Sequence, residues 1–173
     1  QYTAAAIVND LASRAMPASV YSIPTSANAE DHVSMGANEA RHVLAMAADL
    51  GKVLGLELYT AAQALDLRRD MINAARDLAD RTDAEGFAAK VQGGPLPDAN
   101  DRTGFLAEVD GLRAQLASAA EFRPGRAVAA AHAAIRARIP FMDRDRAMDG
   151  EVATAVRMVV DGDVLAAARN ALD

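Results

Sequence analysis

Between Leu44 and Leu65 a set of apolar and small residues, Leu44, Ala48, Gly51, Gly55, Leu58, Ala62 and Leu65, recurs at alternating spacings of four and three. That repeat keeps one side of an α-helix apolar turn after turn, and a strand, with its period of two, cannot use it. It commits the stretch from about Asn28–Ser34 to about Arg69 to one long helix. Met46, Leu50, Val53, Leu54 and Leu56 lie outside the seam, while Asp49, Lys52, Tyr59, Thr60, Gln63 and Asp66 crowd into one arc. A helix this apolar on most sides belongs inside a larger assembly. Gly51 and Gly55 each lower helix propensity by roughly 1 kcal/mol relative to Ala, a cost that close approach of another helix would offset. Glu57 falls among apolar neighbours. It is expected to be a buried carboxylate paired with an Arg or Lys of another helix, with a catalytic role as the alternative.

The rest of the chain is also helical in pattern. Gln1 to Met16 reads as a short Ala-rich helix ended by Pro17, and a turn-rich stretch follows to about Ala29. Shorter helices are expected at roughly Met71–Arg81, Ala84–Val91, Thr103–Glu121, Gly125–Arg138 and Gly150–Ala171, the last broken at Asp161-Gly162. Gly93-Gly94-Pro95-Leu96-Pro97-Asp98 is a loop, and Pro124 and Pro140 mark further breaks. No strand pattern or internal repeat is found. The expected fold is all-α, a long-helix bundle forming one partial domain. Its parts are residues 1–70 (core helices, polar loop and long helix), 71–140 (peripheral helices) and 141–173 (closing helices).

Composition narrows the function. The chain has 173 residues, 51% of them hydrophobic but only 4% aromatic, and a formal net charge of −6. Acids and bases are interspersed, so no basic face for nucleic acid and no polybasic membrane anchor is expected. No run of about 18 apolar residues predicts a membrane helix. Without cysteine there can be no disulfide, thiolate nucleophile or thiolate zinc site, which fits a cytoplasmic setting. The opening Gln1-Tyr2-Thr3 carries no signal-peptide pattern, and the missing initiator Met suggests a piece whose partner sequence lies upstream.

Chemistry-bearing residues are sparse. His32, His42 and His132 form no paired metal-ligand spacing, so no metal is expected. His132 reads as packing or surface, and Asp143-Arg144-Asp145-Arg146 as a solvated salt-bridge network or helix start. The exception is Ser22-Ile23-Pro24-Thr25-Ser26-Ala27-Asn28-Ala29-Glu30-Asp31-His32-Val33-Ser34-Met35-Gly36. It sets hydroxyls, two adjacent carboxylates and a histidine at the mouth of the long helix. Two readings stand. In one, Asn28 is an N-cap with Glu30 and Asp31 in the positive field of the first turn. In the other, the cluster faces a cavity formed by other helices, where a carboxylate serves as base or cation-binding group.

Ser22-Ile-Pro-Thr-Ser-Ala-Asn followed by Glu30-Asp-His-Val-Ser-Met-Gly closely resembles the C-terminal signature of histidine ammonia-lyases, members of the aromatic amino acid lyase family. Gln1–Ala6, Pro17-Ala18-Ser19, Glu57-Leu58, Gln63–Arg68 and Asp143-Arg144-Asp145-Arg146 extend the resemblance over most of residues 1–70 and 141–168. It implies a bundle of the aromatic amino acid lyase/fumarase-like type, assembled as a homotetramer with active sites built from more than one subunit. It also implies a methylidene-imidazolone (MIO) prosthetic group, made in the family from an Ala-Ser-Gly that does not occur in this chain. The implied reaction is elimination of ammonia from L-histidine to give urocanate. The chain, inactive alone, would supply a wall of the site together with the upstream part of the same protein.

Of the signature residues the resemblance implies a catalytic role for Glu30, as an imidazole-binding group or base, and weaker orienting or substrate-binding roles for Asn28, Asp31 and His32. The phenylalanine and tyrosine branches tend to carry Gln at the position of Glu30. Ala29 stands where the family usually has Gln, Tyr21 where the histidine branch has a small or acidic residue, and 70–139 is longer than the connection expected. A lyase or aminomutase for tyrosine, phenylalanine or another amino acid is the first alternative, and a non-catalytic helical oligomerisation module the second.

Overall fold

A computed structural model describes all residues, 1–173. The chain is all-α: seven α-helices, two short 3-10 turns, and no strand beyond one isolated bridge between Thr25 and Glu30. The helices are α1 (Tyr2–Arg14), α2 (Gly36–Arg81), α3 (Ala84–Gln92), α4 (Ala99–Ser118), α5 (Arg126–Arg136), α6 (Asp149–Val160) and α7 (Asp163–Asn170). None is long and apolar enough to cross a membrane.

The long helix is displaced toward the C-terminus relative to its expected span. It begins not within Asn28–Ser34 but just beyond, at Gly36, where the Met35 carbonyl accepts the Asn38 and Glu39 N–H groups. Glu30 and Asp31 therefore lie outside the first turn, whose acid is Glu39. At its other end α2 does not stop near Arg69. Neither Gly nor Pro occurs between Gly55 and Gly86, so nothing interrupts the 46-residue helix before Arg81. The expected Met71–Arg81 helix is its continuation. Asp83 then caps α3 by accepting the Gly86 N–H at 2.8 Å, and Gly93, at φ 63°, ends it in a left-handed cap. The break at Asp161-Gly162 is present, with Gly162 at φ 77° between α6 and α7.

The chain divides into two compact units. The first comprises Gln1–Ala62 and Arg126–Asp173, the second Gln63–Gly125. In the first, the core gathers Tyr59 and Ala62 of α2, Ile135 of α5 and Ile139 just after it, Ala155 and Met158 of α6, and Val164 of α7. The α2 face turned to this core carries Gly51, Gly55, Tyr59 and Ala62, all buried. A Cβ on Gly51 would stand 3.3 Å from Val160 Cγ2, and one on Gly55 2.7 Å from Val156 Cγ2. The two glycines thus let α6 approach α2 closely, as their place in the seam predicted.

Other assignments around α2 are revised. Asp49, Tyr59 and Asp66, placed on the polar arc, are all buried. Leu44 of the seam is instead 74% exposed, and Leu50 51%. Glu57 is exposed rather than buried. It sits at the edge of a hollow of about 490 Å³ lined also by Leu54, Leu58, Met158, Val164 and Leu165. Within this chain the packing partners lie on the glycine side of α2. Much of the apolar surface that the repeat marks for burial stays open.

In the second unit, α3 and α4 flank an apolar hollow of about 390 Å³ lined by Phe87, Val91, Phe105, Val109 and Leu112. Arg113 of α4 donates to the Ala79 and Thr82 carbonyls at 2.9 and 3.1 Å, satisfying acceptors at the end of α2. The Arg68 guanidinium lies over the Phe122 ring.

Candidate functional site

The signature stretch is a closed loop, not a helix cap. Ser22 Oγ donates to the Val33 carbonyl at 2.9 Å and accepts the Val33 N–H at 2.8 Å. Further in, Thr25 and Glu30 exchange backbone hydrogen bonds of 2.9 and 3.3 Å. At the tip Ser26, Ala27 and Asn28 take φ values of 53°, 55° and 69°. These are left-handed conformations that non-glycine residues disfavour, Asn least. The expectation that Asn28 caps the long helix fails here: Asn28 closes a 3-10 turn, Ser26–Asn28, well before Gly36.

The loop stands on a network joining α1 to α2. Arg14, in the last turn of α1, pairs with Asp10 at 2.6 Å and with the buried Asp49 of α2 at 2.8 Å. Lys52 reaches the same carboxylate at 2.7 Å. The hydrogen bond from Lys52, with the positive charges of Lys52 and Arg14, outweighs the desolvation of Asp49. Its carboxyl is held below the ordinary value of 3.8. The Ala18 N–H donates to the Glu39 carboxylate, so the chain entering the loop is tied to the first turn of α2. Beneath lies a hollow of about 390 Å³ lined by Met16, Tyr21, Met35, Asn38 and His42, whose buried Nδ1 has no hydrogen-bond partner in this chain.

The side chains of Asn28, Glu30, Asp31 and His32 are all exposed. The structure places them on one short loop but does not draw them into hydrogen bonds or ion pairs with one another. No group of three or more His, Asp or Glu side chains gathers where one metal ion could touch them. Such an arrangement presents a carboxylate, an imidazole and an amide outward from a fixed backbone. It can accept or donate hydrogen bonds and exchange a proton with a group brought against it. Sequence reasoning missed Ser22, Arg14 and Asp49 as supports of the loop. Their partners lie 11 and 35 residues away, and no local pattern announces pairing at that distance.

A second pair of polar contacts holds the last segment of the chain to α2. Tyr59 Oη donates to Glu151 Oε2 at 2.9 Å, and Arg146 binds the other carboxylate oxygen at 3.0 Å. Burial, and then the Glu151 carboxylate, push the Tyr59 phenol above its ordinary value of 10.0. Arg146 keeps part of the expected salt-bridge network, pairing with exposed Asp143 at 3.7 Å, but is itself a half-buried clamp that also reaches the Phe141 carbonyl.

An α-helical chain with a polar loop held at the foot of one very long helix is the class defined so far. Residues 1–85 match the sequence model of the aromatic amino acid lyase family. Over 69 residues, 40% of the chain, it is 56% identical to a histidine ammonia-lyase of Natranaerobius thermophilus. It is 54% identical over 69 residues to a histidine ammonia-lyase of Deinococcus radiodurans. The matched stretch spans 14% and 13% of the length of those relatives. No solved structure matched the chain.

Proposed function

We propose that the chain is the C-terminal part of an ammonia-lyase that acts on L-histidine, and that Glu30 stands in its substrate site. The observation that carries this is the position of Glu30. It lies within the family-matched residues, its backbone is fixed by Thr25, and its carboxylate is exposed. Elimination removes the amine and a hydrogen from the adjacent carbon, leaving a double bond conjugated with the ring. A carboxylate suits this reaction in two ways: it can accept a hydrogen bond from the imidazole N–H, or take up a proton. Asn28, Asp31 and His32 share the loop and are assigned orienting or substrate-binding roles.

In the family, a methylidene-imidazolone group supplies the electrophile that activates the substrate for loss of ammonia. Its Ala-Ser-Gly precursor does not occur among these residues, so the chain does not form that group. Its own contribution is one wall of the site and the helical core. The exposed apolar surface of α2, including Val43, Leu44, Leu50 and Leu54, supports assembly with the upstream part of the protein and with further copies, as a homotetramer. The direct test supplies the full-length protein with L-histidine and follows urocanate and ammonia, with L-phenylalanine and L-tyrosine in parallel. Urocanate with stoichiometric ammonia is the expected result. Turnover of only the phenyl or phenol substrates would overturn the histidine assignment, and turnover of none would overturn the lyase.

A further inference from the structure

Ser22 belongs to no α-helix, yet it makes two hydrogen bonds across the loop through one atom. A single hydroxyl oxygen donates to the Val33 carbonyl at 2.9 Å and accepts the Val33 N–H at 2.8 Å. One side-chain atom therefore does what a backbone rung of two hydrogen bonds would do, across 11 residues. A hydroxyl serves both roles strongly because it is donor and acceptor through one oxygen, whereas a thiol does either only weakly.

This outer rung encloses the inner one between Thr25 and Glu30. The tip inside them is three consecutive non-glycine residues in left-handed backbone, a conformation that persists only where its surroundings over-determine it. Pro24, between the rungs on the incoming side, has no N–H and cannot donate a further bond across the loop. On the outgoing strand Asp31 and His32 are exposed. The two rungs are thus what closes the loop on itself, and Glu30 is at once a member of the inner rung and the bearer of the outward carboxylate.

We infer that Ser22 is a positioning residue for Glu30: its hydroxyl closes the base of the loop and so fixes where the Glu30 carboxylate stands. The inference rests on the role proposed above for Glu30. Removing the hydroxyl unpairs both backbone groups of Val33, loosens the outer rung and lets the left-handed tip relax, so Glu30 samples positions away from the substrate. Ser22 itself touches no reacting atom, and its effect passes entirely through Glu30.

That last property separates positioning from mere support of the fold, and a double-mutant cycle in the full-length protein reads it. The variants are S22A, S22T, E30Q and S22A/E30Q, with S22C as a size-matched variant should S22A fold poorly. S22A or S22C is expected to lower kcat about ten-fold or more, as small displacements of a catalytic group do. S22T, which keeps the hydroxyl, restores most of it. In the E30Q background S22A should change kcat less than about two-fold. An equal loss from S22A in both backgrounds would show that Ser22 only supports the fold and would overturn the inference. So would a wild-type kcat in S22A beside a slow E30Q. A wild-type kcat in E30Q would overturn the role of Glu30 itself, and with it this one.

Discussion

Gly55 and Val156 meet backbone to backbone: a Cβ on Gly55 would stand 2.8 Å from the Val156 nitrogen and 2.9 Å from its Cα. Neither atom can swing away as a side chain can. A residue that weakens α2 locally is thereby explained by the approach of α6, which carries Ala155 and Met158 into the core.

Gly55→Ala should therefore destabilise the first unit by about 1–3 kcal/mol, the usual cost of overpacking. Gly51→Ala meets only the Val160 methyl, at 3.3 Å, and gains roughly 1 kcal/mol of helix propensity. Its net effect should lie within about 1 kcal/mol of zero. Denaturant unfolding of the two variants decides, and equal effects would contradict the close contact.

Tyr59→Phe deletes the hydrogen bond to Glu151 while leaving Arg146 on that carboxylate. A loss of about 1–2 kcal/mol is expected. The buried phenol also makes the wild type sensitive to base. Its folded pKa is raised above 10.0, so its stabilising contribution is complete below that value and is lost as pH rises through the folded pKa. Stability measured above pH 10 should fall more steeply in the wild type than in Tyr59→Phe.

Asp49 acts on the acid side. Its pKa in the folded chain lies below 3.8, so its contribution is present above 3.8 and is lost as pH falls through the lower, folded value. Asp49→Asn should flatten the acid limb of the stability profile and loosen α1, which Arg14 fastens to this carboxylate. An unchanged acid limb would contradict the assignment.

The left-handed tip offers a test of the loop itself. Ala27, at φ 55°, carries a strain of about 1–2 kcal/mol that glycine would not. Glycine's greater chain entropy in the unfolded state takes back roughly 0.5–1 kcal/mol. Ala27→Gly should be neutral to slightly stabilising in thermal unfolding, and Ala27→Val clearly destabilising. The reverse order would mean that the tip is not left-handed.

The legible and illegible parts of the chain divide along the range of the interactions. The glycine pair in the seam could be understood from sequence, because a helix interior tolerates such residues only for a compensating contact. The Asp161-Gly162 break was equally local. The end of α2 lies beyond the expected one because the four-three seam stops at Leu65 while neither Gly nor Pro stops the helix there. Asn28 was mistaken for a cap because cap and left-handed tip favour the same residue. What distinguishes them is the bonding of Ser22 to Val33. Glu57 was expected to be buried from its apolar neighbours. It lies about 160° round the helix from Gly55, at the open edge of the hollow beside α6 and α7 rather than under them. The candidate site was visible as a motif, whereas its supports Ser22, Arg14 and Asp49 required three dimensions.

The central claim is that this loop belongs to the substrate site of an ammonia-lyase, with Glu30 as its working group. The most direct measurement is the rate of urocanate formation from L-histidine by the full-length protein carrying Glu30→Gln, beside the wild type. The account predicts a fall in kcat/KM of about a hundred-fold or more, with unfolding unchanged, since Glu30 is exposed and pairs with Thr25 through its backbone alone. A variant that turns over L-histidine within about two-fold of the wild type would contradict it.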